Sequence, residues 1–417
     1  MSSEENRYRC TLPFSHLNVT ARGVVLPCCN YEFRKNPEWK EGDHDSTVFT
    51  RASEGLGNIL HSKIWHELRK KSKMNIAEPG CSNCYFSEDA TGSSRRTWAN
   101  RTFSDADSET KLKSIELKLG AKCNLECRTC GFVSSNKLLR EDSYARYGEI
   151  NKEWIKLIQG FSDWTKDQSF WDDLKSVSRD LEYIQFTGGE PLLIQEQYEY
   201  LQWLADNNID PLIQYITNAT QRLDDFKRNL WNNFSQMIID VSIDGTEKVG
   251  EYVRTGSVWS EQARNIKEYV QYFNDRNKVF EEWSSFNLAT TVSIFNVTEI
   301  RPILDFMYDV GMKDANWSIN IVRHENWMDI ANLEGEAKEY ALNIVSEIIN
   351  DSKYSEEHRN ILQIVSSRIN SDPTTEDKFV NKLKHKEKIH NTVNKNRHHD
   401  YSKLLPDWWD MLVRSDV

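Results

Sequence analysis

All eight cysteines of this chain fall in its first third, at Cys10, Cys28, Cys29, Cys81, Cys84, Cys123, Cys127 and Cys130. No feature constrains the fold more, because thiols at such short spacings gather round metals or disulfides rather than scatter through a core. The N-terminus MSSEENRYRC lacks the apolar core of a signal peptide, and no later run reaches the roughly 20 apolar residues of a membrane span. A cytoplasmic protein without a membrane partner is therefore expected, and in that reducing compartment the thiols are metal ligands or catalysts rather than disulfides. The net charge of -11 argues against a nucleic-acid partner, whose phosphates call for Lys and Arg.

The cysteines form two groups separated by the polar stretch Ser104 to Thr110. In the first, His16 to Thr20 and Val24 to Leu26 read as a hairpin turning at Gly23. Leu60, Ile64, Trp65 and Leu68 then recur at helical spacing, ahead of Cys81-x-x-Cys84. From about Lys113 strands alternate with helices, the pattern of a parallel sheet with crossover helices. Candidate strands are Ser114 to Leu119, Leu181 to Phe186, Leu212 to Thr217, Met237 to Ile243, Leu288 to Ile294 and Trp317 to Val322.

Helices are expected over Asn136 to Ile158, after Ser169, over Ser260 to Phe273, and over Thr298 to Val310. Ser169, Ser260 and Thr298 are expected to cap them and Gly311 to stop the last. Beyond about Arg323 the chain reads as helical, and the basic run Lys378 to Arg397 reads as a solvated helix face, with a nucleic-acid patch as its alternative. The expected class is α/β, a partial (β/α)6 TIM-like barrel with a small N-terminal hairpin-helix module and a helical C-terminal extension. The expected division is 1–109, 110–330 and 331–417.

Cys123, Cys127 and Cys130 stand on a loop directly after the first barrel strand. Three soft ligands there can hold three corners of a cubic iron-sulfur cluster and leave one iron open. Closed zinc ligation or free thiols are the plain alternatives, although no His follows nearby as a fourth zinc ligand. At the end of the second barrel strand stands Gly188-Gly189-Glu190, where glycines admit close backbone approach and a carboxylate can accept from an ammonium.

Together, Cys-x3-Cys-x2-Cys and the later Gly-Gly-Glu resemble the motifs of the radical S-adenosylmethionine (SAM) superfamily. The resemblance implies a 4Fe-4S cluster on the three cysteines, SAM on its open iron, and reductive cleavage to a 5′-deoxyadenosyl radical that abstracts hydrogen from substrate. It implies that Gly188, Gly189 and Glu190 bind the methionyl amino group. Thr217-Asn218, Ser242-Ile243-Asp244-Gly245 and Tyr252-x-x-Arg254 are similar to further stretches of the same superfamily. By that likeness Asn218, Ser242, Asp244, Arg254, Asn296 and Val322 are cofactor contacts, with Ser242 at the ribose and Arg254 at the carboxylate. A plain turn at Asp244-Gly245 and a surface ion pair for Arg254 are the structural alternatives.

Cys10, Cys28, Cys81 and Cys84 can supply four thiolates to structural zinc or to a fully ligated 4Fe-4S cluster. This segment resembles the SPASM or twitch auxiliary-cluster module, which implies the cluster, although such modules usually follow the barrel and this one precedes it. Cys29 is left over, as a spare ligand, a hydrogen-atom donor or a small buried residue. The aromatic stretch from Asn136 to about Asp180 reads as helix packing or as a wall for an extended substrate. The resemblance points to a peptide or protein substrate and a flavodoxin- or ferredoxin-type electron donor. A small-molecule substrate (sugar, nucleoside or amino acid) and a non-enzymatic zinc-stabilised module are the other two readings.

Overall fold

The computed structural model of the chain describes residues 6–35, 51–104, 110–313, 316–322, 326–374, 379–394 and 400–414. Most of the polar stretch Ser104 to Thr110, the Arg323 boundary, and Lys378 and residues 395–397 of the basic run lie outside the described residues. Two compact units are present, one comprising Met1–Lys122, Ile158–Tyr215 and Asn229–Gln236, the other Cys123–Leu157, Ile216–Arg228 and Met237–Val417.

The strands are β1 (His16–Val19), β2 (Val25–Leu26), β3 (Ser114–Lys118), β4 (Tyr183–Thr187), β5 (Leu212–Thr217), β6 (Met237–Ser242), β7 (Ser285–Val292) and β8 (Trp317–Ile321). They form an eight-stranded sheet in the order β2-β1-β3-β4-β5-β6-β7-β8, with β2 and β8 at its ends. All six expected parallel strands are present. The N-terminal hairpin is not separate from them, because β1, antiparallel to β2, pairs in parallel with β3.

In the first unit one sheet face is apolar, with Ile115, Leu117, Ile184, Phe186 and Ile213 at most 1% exposed. The alternate residues His16, Asn18, Ser114 and Glu116 are polar yet equally buried, and the β1–β3 register sets His16 beside Ser114 and Asn18 beside Glu116. Period-2 alternation thus gives one face to helix packing and the other to a polar interior.

Several local expectations are corrected. The helix over Asn136 to Ile158 is instead a 3-10 turn followed by Leu139–Tyr147 and Lys152–Gly160, broken where Gly148 (φ 72°) closes the first of the two. The Leu60-to-Leu68 stripe spans two helices, Leu56–Leu60 and Lys63–Lys73. Asp167, not Ser169, caps Gln168–Val177, its carboxylate accepting from Ser169 N at 3.0 Å. Trp259–Arg276 starts without a side-chain cap, and Thr298 lies in a 3-10 turn ahead of Ile300–Asp309. Gly311 does stand at the stop, with φ 84°. Helices fill the C-terminal region, among them Gly335–Ile349, Glu356–Ile369 and Phe379–Val393. Among the described residues no helix is long and apolar enough to cross a membrane.

Candidate functional site

In the second unit, Cys123, Cys127 and Cys130 lie on one loop that is pinned along its backbone. Glu126 N donates to Thr255 O and Arg128 N to Val253 O, both at 2.8 Å, while Ser135 Oγ donates to Leu125 O at 2.6 Å. Asn218 Nδ2 donates to Asn124 Oδ1 at 3.0 Å and lies 3.9 Å from Cys123 Sγ. Cys127 is buried and Cys130 exposed. The Cys127 thiol donates to Cys130, which pushes Cys127 well above the ordinary thiol range, with burial adding to the rise. The same bond brings Cys130 down, with help from the Arg254 guanidinium and against burial. Three soft thiol donors on one pinned loop, with one of them eased toward ionisation, fit an iron-sulfur cluster.

Arg254 is tied to Asp244 by a 2.6 Å ion pair. Asp244 is 1% exposed, and its other oxygen accepts from Thr291 N at 2.7 Å. Burial opposes the charge on Arg254, but the neighbouring thiols and the Asp244 carboxylate outweigh it and push the guanidinium further up, so it stays protonated. Asn296 braces the backbone here, donating to Asp244 O and Thr291 O and accepting from Ser293 N. Ser242 ends β6, and Val322 follows β8 with its N–H on Val292 O at 3.0 Å.

In the first unit the Gly188-Gly189-Glu190 turn leaves β4 and packs on the backbone that leads into the cysteine loop. Gly189 N donates to Gly120 O at 3.1 Å and Glu190 N to Lys122 O at 2.9 Å. A Cβ on Gly189 would sit 2.2 Å from Lys122 O, and one on Gly188 (φ 123°) 2.7 Å from Leu119 N, so both positions require glycine. The Glu190 carboxylate accepts from Leu192 N at 3.1 Å, capping the turn Pro191–Leu193.

Also in the first unit, the N-terminal thiols converge. Glu32 N donates to Gly80 O at 2.8 Å and Tyr31 OH to Glu78 at 2.8 Å, which holds the Cys28 loop against the Pro79–Cys81 turn. Ser72 receives the Cys10 N–H at 2.9 Å and donates to Cys10 O at 2.8 Å, and so fixes the third strand of chain. Burial pushes the Cys10 thiol up to about 12, with Cys84 adding to the rise. Burial likewise raises Cys28, which feels Cys29, Cys81 and Cys10, and Cys81, which feels Cys10, Glu78 and Cys84. Three thiols whose ionisation their neighbours oppose, with Cys84 beside two of them, fit a metal or cluster that would neutralise them. Among the described residues, no three His, Cys, Asp or Glu side chains are already drawn to metal-binding geometry.

Residues 10–85 match the family model of SPASM, an iron-sulfur cluster-binding domain. The chain carries a SPASM-type segment. Its four candidate ligands all lie within the matched residues, and the match favours an iron-sulfur cluster over zinc there. None of the curated proteins matches the chain. Among solved structures, native anSMEcpe with bound AdoMet and Cp18Cys peptide is 15% identical over 58% of this chain and 60% of that one, with a TM-score of 0.35. TYW1 with a lysine-pyruvate adduct is 12% identical over 72% and 94%, at 0.34. Streptococcus suis SuiB bound to precursor peptide SuiA is 11% identical over 95% and 88%, at 0.35. TM-scores this low do not establish a common fold, and the chain spans only three fifths of the first of these structures.

Two clusters of side chains carry no sequence motif. Beside the SPASM segment, Glu116 on β3 is ion-paired with Arg95, accepts from Asn18 at 2.9 Å and receives the Cys29 thiol. In the second unit Arg128, inside the cysteine loop, is buried against Glu387, Glu141 and Tyr252. The only local signal for either is a charged residue among ones expected to be buried. The aromatic stretch is packing where it falls in the first unit. Trp164 stacks edge-on against Phe170, 4.7 Å away, and donates to Ala21 O at 3.1 Å, closing over the hairpin turn.

Proposed function

We propose that the chain is a radical S-adenosylmethionine enzyme with an auxiliary iron-sulfur cluster, acting on a peptide or protein. The observation that carries this reading is the cysteine loop, whose entry, residues 120–122, is hydrogen-bonded to the Gly-Gly-Glu turn. Cys123, Cys127 and Cys130 would hold a 4Fe-4S cluster, which together with SAM would supply one-electron cleavage of SAM and the radical that abstracts hydrogen. The chain's own part is placement. Gly188 and Gly189 let the turn close against the loop entry, Asn218, bonded to Asn124, lies against the loop's first cysteine, and Arg254 sets a positive charge beside Cys127 and Cys130. Cys10, Cys28, Cys81 and Cys84 would hold the second cluster. The peptide substrate is the finer step, supported by the pairing of a cysteine triad with a SPASM-type segment, and by analogy of module rather than by a contact.

Anaerobic reconstitution is expected to give about eight irons per chain, two cubic clusters. Reduced protein with SAM should release 5′-deoxyadenosine, and Cys127→Ala should abolish the release. Zinc without iron, or cleavage surviving in that variant, would overturn the reading. If a short peptide is encoded beside the gene, a mass change in it on incubation with the reduced enzyme and SAM tests the substrate, and turnover of a sugar or nucleoside instead would replace the peptide with a small molecule.

A further inference from the structure

The basic helix Phe379–Val393 turns its Lys382, Lys384, His385 and Lys388 to solvent, as a solvated face should. Its one acid, Glu387, and the adjacent-turn His390 are instead buried. Both serve the cysteine loop. Glu387 Oε1 accepts from Arg128 Nη2 at 2.6 Å, a bond spanning 259 residues of sequence, and from Tyr252 OH at 2.5 Å. Arg128 Nη1 lies 3.5 Å from Glu141 Oε2, and the other Glu141 oxygen binds His390 Nδ1 at 2.7 Å and Asn394 Nδ2 at 2.5 Å. The Arg128 guanidinium is 6% exposed and lies 5.5 Å and 5.7 Å from the ring centres of Tyr252 and Phe295.

Arg128 stands between Cys127 and Cys130, so whatever fixes its side chain fixes the spacing of two thiols. An exposed ion pair would do little, but a buried one is different, because losing either partner strands a charge away from water. Tyr252 also precedes Val253, whose carbonyl receives the Arg128 N–H, so side chain and backbone are held from the same helical turn.

We propose that the helix Phe379–Val393 is a latch on the cysteine loop, with Arg128 the positioning residue and Glu387 and Glu141 its anchors. The helical extension then sets the geometry of the loop's thiols rather than merely covering the fold. Its consequence for catalysis rests on the proposed function, but the latch itself is tested without a cluster.

The test is the alkylation rate of Cys127 in the full-length, cluster-free, reduced chain. Glu387→Gln keeps the size and the acceptor for Tyr252 but removes the charge that holds Arg128. Cys127 should then alkylate at least about tenfold faster, as local opening of the loop becomes easier. Tyr354→Phe is the control. It removes a hydrogen bond from Tyr354, in the same helical extension, to Asp305 (2.7 Å), between residues that share none of the contacts of Arg128, Glu141 and Glu387, and it should leave Cys127 unchanged. Once reconstituted, Glu387→Gln should shift the electron paramagnetic resonance signal of the reduced cluster, and Glu387→Asp should restore it in part. An unchanged Cys127 rate in Glu387→Gln, or equal acceleration in both variants, overturns the latch. A wild type that binds no iron overturns the proposed function instead and leaves the alkylation comparison decisive for the latch. Should Glu387→Gln fail to fold, Arg128→Lys, which keeps the charge but loses the two-pronged contact, replaces it with the same expected acceleration.

Discussion

His16 lies wholly inside the first unit, its Nδ1 2.7 Å from Ser114 Oγ and its Nε2 3.9 Å from Glu116. Burial holds its imidazolium down to a pKa of about 4, with Arg95 adding to the depression and Glu116 opposing it. The folded chain therefore refuses a proton that the unfolded chain accepts near 6.5, so the stability from neutral His16 is present above that pH and is lost as pH falls toward 4. By pH 5 the loss should reach about 2 kcal/mol. Urea melts at pH 7 and pH 5 check it. His16→Gln should shrink the pH-dependent loss by about that amount, and an unchanged loss would mean that other groups dominate. At this scale the thiols were legible because ligand spacing on one loop is local information. The role of Asn296 was not, because its amide nitrogen donates to the Asp244 and Thr291 carbonyls, distant in sequence or folded back on it, while its oxygen accepts from Ser293 N.

The turn after β4 shows how an element can depend on another's backbone. Gly189→Ala would drive a methyl to within 2.2 Å of Lys122 O, a backbone atom that cannot swing away as a side chain would. The expected cost is about 1–3 kcal/mol of stability. Because Lys122 precedes Cys123, SAM affinity should fall as well, by at least about tenfold for a displaced contact worth some 1.4 kcal/mol. Chemical denaturation and equilibrium dialysis measure the two separately, and a variant with unchanged affinity would detach the turn from the cofactor. The strands were legible at this scale, since alternation with turn residues defines them. The helix ends were less so. Ser169, Ser260 and Thr298 have the chemistry of caps, but Asp167 competes for the first, and the other two helices begin at positions that packing rather than capping decides.

Across the whole molecule, the six parallel strands could be read from the sequence, while the eight-stranded sheet could not. The pairing of β1 with β3 joins segments nearly a hundred residues apart, and nothing in four residues of strand names such a partner. The Arg128 to Glu387 bond is hidden for the same reason. What the sequence did separate is the two thiol sets, and each falls complete within one unit: Cys10, Cys28, Cys81 and Cys84 in the first, Cys123, Cys127 and Cys130 in the second. Neither set borrows a cysteine from the other, so the proposed clusters should be lost independently. Cys28→Ala with Cys84→Ala should lower iron from about eight to about four per chain. Since the three remaining ligands are unchanged, 5′-deoxyadenosine release in the absence of substrate should stay within about twofold of wild type, while substrate turnover is lost. Iron assay and chromatography of the nucleoside product give both numbers from one preparation. If the double variant lost all its iron and all cleavage, the two thiol sets would be one cooperative centre, and their assignment to separate clusters would be wrong.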